Sequence, residues 1–124
     1  MRWLIDTNIL IYYMQNNPVV CAYVDAIRDE AAIASIVYYE VLNYRYTSDQ
    51  ERAVRAFLEQ FAIIDLTRPV IDQALQNRRR KKIKLADNFI LATAQIHDLT
   101  LVTNNTKDFA SLVGIYNPLA HYVQ

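Results

Sequence analysis

Trp3-Leu4-Ile5-Asp6-Thr7-Asn8-Ile9-Leu10-Ile11 reads as a short apolar strand that runs into a carboxylate, two small polar residues and an apolar helix start. A strand that passes straight into a helix is the unit of an α/β fold. Burying a carboxylate with no partner costs about several kcal/mol or more, so Asp6 at the end of a core strand needs company.

Working outward, further short apolar runs read as strands: Arg2 to Ile5, Ala31 to Ala34, Ala62 to Leu66, Leu99 to Val102, and Ile115 with Tyr116. They are apolar on both faces and rarely alternate, the pattern of a parallel sheet covered on both sides. Helical segments fill the gaps. Ser48-Asp49-Gln50-Glu51 has the form of a capping box before Ala53, Val54, Phe57, Leu58 and Phe61. Thr67 stands as the cap of a helix with Pro69 in its first turn. Ala86 to His97 carries Ile90, Leu91 and Ala94 on one face. The expectation is one domain over residues 1–124: a three-layer α/β/α sandwich with a central parallel sheet of four to five strands. Glycine occurs once, at Gly114, so the turns must rely on Asn, Asp, Ser and Thr.

A chain of 124 residues suffices for a single core. Apolar residues at 53% and charged residues at 21% fit a globular chain without a membrane span, and the start of the chain does not read as a signal peptide. These features fit the cytoplasm. Cys21 is the single cysteine, so no internal disulfide is possible; with Val19, Val20 and Val24 around it, it reads as a small buried hydrophobe. His97 and His121 are isolated, which leaves no cluster suited to zinc.

Net charge is zero, yet Arg78-Arg79-Arg80-Lys81-Lys82-Ile83-Lys84 gathers six of the 13 basic residues. Cations are favoured at a helix C-terminus, which alone accounts for such a run. The same patch can bind phosphates while the whole chain is neutral.

Topology draws four acids together. In an open parallel sheet, sites lie at the carboxyl edge of the strands. Asp6 ends the first strand, and Asp108 follows Leu101-Val102-Thr103-Asn104-Asn105. Glu40 lies near the start of the helix after Ala31 to Ala34, sharing a face with Ile36, Val37, Val41 and Tyr44. Asp87 opens a helix that must run back across the sheet before Leu99, so its N-terminal end reaches the same edge. Taken singly, Asp6 and Asp108 read as helix caps (Asp108 for a short helix Phe109 to Leu112), Asp87 as a first-turn acid, and Glu40 as a paired or snorkelling acid. Four carboxylates at one edge repel unless neutralised. Mg²⁺ or Mn²⁺ is the natural partner, taking carboxylate and water oxygens while leaving room for phosphate.

Leu4-Ile5-Asp6-Thr7-Asn8-Ile9-Leu10, Ala34-Ser35-Ile36-Val37-Tyr38-Tyr39-Glu40-Val41, Lys84-Leu85-Ala86-Asp87-Asn88-Phe89-Ile90-Leu91-Ala92-Thr93-Ala94 and Leu101-Val102-Thr103-Asn104-Asn105-Thr106-Lys107-Asp108-Phe109 recur in that order over nearly the whole chain. In these motifs the sequence resembles the PIN-domain nucleases, and among them the VapC-like toxins of toxin–antitoxin pairs. The resemblance implies a five-stranded parallel sheet and Mg²⁺- or Mn²⁺-dependent endonucleolytic cleavage of RNA. It implies Asp6, Glu40, Asp87 and Asp108 as the metal-binding acids. Thr7 and Asn8 would shape the site around the first acid, and Thr103 and Asn105 would support the last. A homodimer and an inhibiting antitoxin are the implied protein partners. Many such toxins carry a basic residue where this chain has Asn104, which implies one phosphate contact fewer.

Two readings share the motifs: a PIN nuclease of RNA processing outside such a pair, and a non-catalytic module that binds RNA or protein. The intact quartet of acids counts against the second. A phosphoreceiver domain would want a second acid beside the first, where this chain has Thr7. Tyr12, Tyr13, Tyr38, Tyr39, Tyr44 and Tyr46 follow two of the acids; adjacent pairs cannot both face inward on a helix. Some must therefore be exposed, at a protein interface, to stack on bases, or as a partly buried aromatic rim.

Overall fold

The computed structural model of the chain describes residues 1–120. Five strands, β1 (Trp3–Ile5), β2 (Ala31–Ala34), β3 (Ala62–Ile64), β4 (Thr100–Val102) and β5 (Ile115–Tyr116), form one sheet in the order β3-β2-β1-β4-β5. Every neighbouring pair is parallel. Seven helices flank it: α1 (Thr7–Met14), α2 (Pro18–Ile27), α3 (Ser35–Leu42), α4 (Ser48–Leu58), α5 (Arg68–Arg80), α6 (Leu85–His97) and α7 (Thr106–Phe109). This is the expected α/β/α sandwich, at the upper end of the expected strand count.

The strand order explains where a site can form. From β1 the chain crosses to β2 and then β3 on one side; from β3 it returns past β1 to β4 and β5. Parallel crossovers are right-handed, so α1 to α4 cover one face and α5 to α7 the other. The direction reverses between β1 and β4, and the crevice beyond the carboxyl ends of those two strands is the switch point where such sheets bind ligands.

The middle of the sheet behaves as its sequence requires. Leu4, Ile5, Ala31, Ala32, Ile33, Leu101 and Val102 are fully buried. Ile9, Leu10, Val37, Leu58, Ile90 and Leu91 close over them from the helices. The edge strand β3 departs from expectation: Ala62 and Ile63 are exposed and the strand stops at Ile64 rather than Leu66. Its one neighbour sets that length, since Ala34 pairs with Ile64 and the next residue of that neighbour, Ser35, already belongs to α3.

Several helix ends differ from the sequence reading by one to three residues. The capping box of α4 is formed by Thr47 and Gln50, not Ser48 and Glu51; Glu51 pairs with Arg55 at 3.0 Å instead. Thr67 is the N-cap residue of α5 but its side chain caps nothing, and α6 starts at Leu85. The short helix after β4 is Thr106–Phe109, not Phe109 to Leu112, so Asp108 lies inside it rather than capping it. Tyr44 lies beyond the end of α3, off the face that carries Glu40, and Glu40 is the sixth residue of that eight-residue helix rather than near its start. The α2 helix carries its own start signal: Asn17 accepts from Val19 N and Val20 N, with Pro18 first in the helix.

Polar residues make the turns, as a chain with one glycine must. Asn16, Asp98 and Ser111 adopt positive φ. Asp98, at φ 54°, ends α6: Leu99 N donates to Ala94 O at 2.9 Å and Asp98 N to Gln95 O at 3.3 Å, a Schellman turn built without glycine. Of the tyrosine pairs, Tyr39 and Tyr44 are well exposed, while Tyr13 stacks on Phe57 with centroids 4.9 Å apart. Among the described residues no helix is long and apolar enough to cross a membrane.

Candidate active site

Asp6 sits at the switch point. It follows β1 directly, its N–H donates to Val102 O at 2.9 Å, and it is 4% exposed. As the N-cap of α1 it accepts from Thr7 N at 2.8 Å on Oδ1. On Oδ2 it accepts from Thr103 Oγ1 at 2.6 Å. Thr103 is fully buried just past β4, so this bond ties the two strand ends across the switch point. Despite both donors, burial pushes the Asp6 carboxyl from the ordinary 3.8 up to about 6, and the charges of Asp87 and Glu40 push it the same way.

The other acids approach from separate elements. Glu40 extends from α3 and accepts from Thr7 Oγ1 at 2.6 Å through Oε1, so Thr7 bridges the first and second acids by its amide and its hydroxyl. Asp87, third in α6, is half-buried; burial raises its carboxyl above the usual range, helped by Glu40 and Asp108 and opposed by Lys84. Asp108, in α7, accepts from Asn105 Nδ2 at 3.0 Å, while Asn105 N donates to Thr103 Oγ1 at 2.9 Å. Thr103 and Asn105 thus couple the first acid to the last.

Asp6, Glu40 and Asp87 line one cleft with Thr7, Asn8, Tyr12 and Asn105. Asp108 lines the adjoining depression, shared with Arg78, Lys82 and Lys84. The quartet therefore spans two connected walls rather than one tight cage. Among the described residues no three carboxylates surround a single point closely enough to hold an ion by themselves. The donor set still suits a hard divalent cation: all of its donors are oxygen, and two of the carboxyls are held above their ordinary range by burial and mutual repulsion. Mg²⁺ keeps several waters and takes only one or two carboxylates. Among the described residues no histidine competes. His97 is exposed at the far end of α6 from Asp87, and His121 lies outside the described residues.

The basic run divides. Lys81 donates to the carbonyls of Asp108 at 2.7 Å and Lys107 at 3.4 Å and so anchors the run to α7. Arg78, Lys82 and Lys84 face the depression beside Asp108, whereas Arg79 and Arg80 are exposed and line neither hollow.

Two features escaped the sequence reading. Gln15 joins Asn8, Ile11 and Tyr12 along the cleft, and the four recur at the i, i+3, i+4, i+7 spacing of a single helix face. The second is a buried amide chain between α5 and α6. Asn77 Nδ2 donates to Asn88 Oδ1 at 3.1 Å and to Gln95 Oε1 at 2.8 Å, and Asn88 Nδ2 donates to Ala74 O at 2.8 Å. It fixes the residue next to Asp87. Buried amides at helical spacing were the available signal.

The sequence profile of the PIN domain matches residues 3–114. Among solved structures, a chain of a toxin–antitoxin complex from Klebsiella pneumoniae is 37% identical, with a TM-score of 0.84, over 93% of this chain and 96% of that one. A chain of FitAcB from Neisseria gonorrhoeae is 26% identical (TM-score 0.80; 95% and 99% covered). A chain of VapBC2 from Rickettsia felis bound to a DNA fragment from their promoter shares the fold at 24% identity (TM-score 0.81; 94% and 98% covered). No curated protein matches significantly. A profile match over this span, with a fold that superposes along almost the whole length, shows that the chain belongs to the PIN-domain family.

Proposed function

We propose that this chain is a divalent-metal-dependent endoribonuclease and the toxin of a toxin–antitoxin pair. The observation that carries the reading is the meeting of Asp6, Glu40 and Asp87 in one cleft at the switch point, with Asp6 buried at the end of β1. A fold that maintains this unfavourable charge cluster is suited to receive a cation there. Asp6 and Asp87 would hold the principal ion, with Glu40 and Asp108 completing its surroundings or holding a second. A bound Mg²⁺ or Mn²⁺ supplies Lewis-acid polarisation of a phosphoryl oxygen and acidification of water.

The chain's own residues do the rest. Thr103 and the Thr7 amide occupy one position each on the two Asp6 oxygens, so the carboxylate has one orientation. Thr7 fixes Glu40, and Asn105 fixes Asp108. Arg78, Lys82 and Lys84 attract the phosphate backbone on the Asp108 side. In-line attack of water on phosphorus with departure of O3′ leaves a 5′-phosphate and a 3′-hydroxyl. The partner reading draws on the 37% identical chain, which comes from a toxin–antitoxin complex. For an antitoxin and a second copy of this chain, Ile71, Leu75 and Leu85 expose apolar surface of the right chemistry.

The test is cleavage of a mixed RNA pool by the purified protein in Mg²⁺ or Mn²⁺. Cutting that is lost both in EDTA and in Asp87→Asn, with the variant folded, supports the assignment. A folded protein, free of co-purified inhibitor, that cuts nothing with either metal refutes it.

A further inference from the structure

The acids stand between two walls of unlike chemistry. On the α5–α6 side, Arg78, Lys82 and Lys84 are cationic. On the α1 side, Asn8, Ile11, Tyr12 and Gln15 line the same cleft as Asp6, Glu40 and Asp87, and none of those four is charged. Asn104, exposed just past β4, lies against this neutral wall. Its Nδ2 donates to Tyr12 OH at 3.3 Å and its backbone N to Asn8 Oδ1 at 3.5 Å. Asn117 Nδ2 donates to Asn104 Oδ1 at 3.2 Å, and Asn117 is itself held by Leu119 N at 3.0 Å.

We propose that this wall is a subsite for one unpaired RNA base, read by the Asn104 amide and stacked on by the Tyr12 ring. The assignment rests on the ribonuclease reading above. An amide offers two N–H donors and two acceptor lone pairs. Among the described residues, Asn104 uses one N–H on Tyr12 and one lone pair on Asn117. One donor and one acceptor remain, on an amide plane that neighbours hold at both ends. That is the complement of a base edge, and single strands are read by such contacts together with stacking on aromatic rings. The amide chain of Asn77, Asn88 and Gln95 serves as an internal contrast. It lies between α5 and α6, has Asn77 and Asn88 buried, and spends its groups on its own members and on the carbonyls of Ala74 and Leu112, as a structural cluster should. Asn104 is exposed and keeps capacity in hand. A strand laid across the acids then turns its phosphates to the cationic wall and a base to the neutral one.

The experiment is binding of fluorescein-labelled oligo(U), oligo(C) and oligo(A) in EDTA, followed by anisotropy, so that no cutting intervenes. A well-placed base contact discriminates by roughly fivefold or more, so the wild-type Kd values should spread by at least about that factor. In Asn104→Ala the spread collapses to within about twofold. Tyr12→Phe, which keeps the ring and removes the hydroxyl that Asn104 leans on, narrows it partway. Lys82→Ala weakens all three oligonucleotides alike and lowers the salt slope by about one. Base frequencies beside the cut in a randomised RNA pool should flatten in Asn104→Ala in the same way. A wild-type spread within about twofold, a spread that survives in folded Asn104→Ala, or an equal loss for all three oligonucleotides in that variant overturns the subsite while leaving the nuclease intact. A wild type that neither binds nor cuts RNA overturns the ribonuclease reading and takes the subsite with it.

Discussion

Replacing Asp6 by Asn should make the metal-free protein more stable at neutral pH and less stable in acid. The folded carboxyl titrates at about 6 against an ordinary 3.8. A group whose folded value is raised favours folding when protonated and disfavours it once ionised. Its contribution is therefore greatest below about pH 4 and is lost as pH rises through about 6. At about 1.36 kcal/mol per pH unit, the difference amounts to about 3 kcal/mol by pH 7.5. Asparagine escapes that cost and still accepts from Thr7 N. It forfeits the bond from Thr103 Oγ1, whose hydroxyl cannot donate to an amide nitrogen, at a cost of about 1–2 kcal/mol. The net result is a variant about 1–2 kcal/mol more stable than wild type near pH 7.5, and less stable by a similar amount near pH 4. Urea unfolding of both proteins in EDTA across that range measures the difference directly and cancels the titration of groups that do not interact with Asp6. A difference constant to within about 0.5 kcal/mol would mean that Asp6 ionises at its ordinary pH and that the cleft holds no unrelieved charge. Added Mg²⁺ should then stabilise the wild type and not the variant, since only the form that binds the ion gains from it.

Other outcomes are expected from the same contacts. Thr103→Val keeps the shape and removes the donor to Asp6 and the acceptor for Asn105 N. It should cost about 2–3 kcal/mol in urea unfolding and lower RNA cleavage without abolishing it. Asn77→Ala strands groups of Gln73, Asn88 and Gln95 between α5 and α6; a loss of about 2–3 kcal/mol in the same assay is expected. Asp98→Gly relieves a left-handed residue at the end of α6 and should stabilise by about 0.5–1 kcal/mol, read as a small rise in Tm. Arg28→Ala removes a guanidinium packed over Tyr13, Phe57 and Phe61 and bonded to Asp25. A cost of about 1–2 kcal/mol by thermal unfolding is expected, mostly from lost packing.

What could be read from the sequence followed the strength of local signals. Asp6 was legible because a carboxylate directly after a fully apolar strand is costly anywhere but at a strand's carboxyl edge. Asp87 and Asp108 were legible through chain direction alone, since a parallel sheet leaves few places for a helix to start. The exact ends were not. Thr47 and Ser48 are both good caps, and only the backbone reveals which one is extended; the choice moved the capping box by one residue. Asp108 looked like a cap because Phe109 begins an apolar stretch, but Thr106 already starts the helix. The exposure of β3 was hidden for a different reason. Its composition matches that of the buried strands, and only the strand order makes it an edge. Gln15 escaped because nothing local says that the water before it is a cleft.

The Asp6 cost also bears on how such a small domain stands alone. Domains of this size are stable by about 5–15 kcal/mol in total. About 3 kcal/mol held against folding at one carboxyl is a large share of that margin. The cluster cannot relieve itself by swinging apart, because Thr103 and Thr7 hold Asp6 between β1 and β4, and Thr7 also holds Glu40. The same bonds that keep the acids ready therefore keep the strain in place. Any cationic group that enters the cleft, whether a divalent ion or a basic side chain from a protein partner, recovers part of it on binding. Affinity for such a group and instability without it are then two readings of one arrangement, so variants that gain stability by removing an acid should lose cation-dependent stabilisation in proportion. Asp6→Asn and Asp87→Asn test that relation together. The variant with the larger metal-free stability gain should show the larger loss of response to Mg²⁺, and that variant should be Asp6→Asn because Asp6 is the more deeply buried of the two.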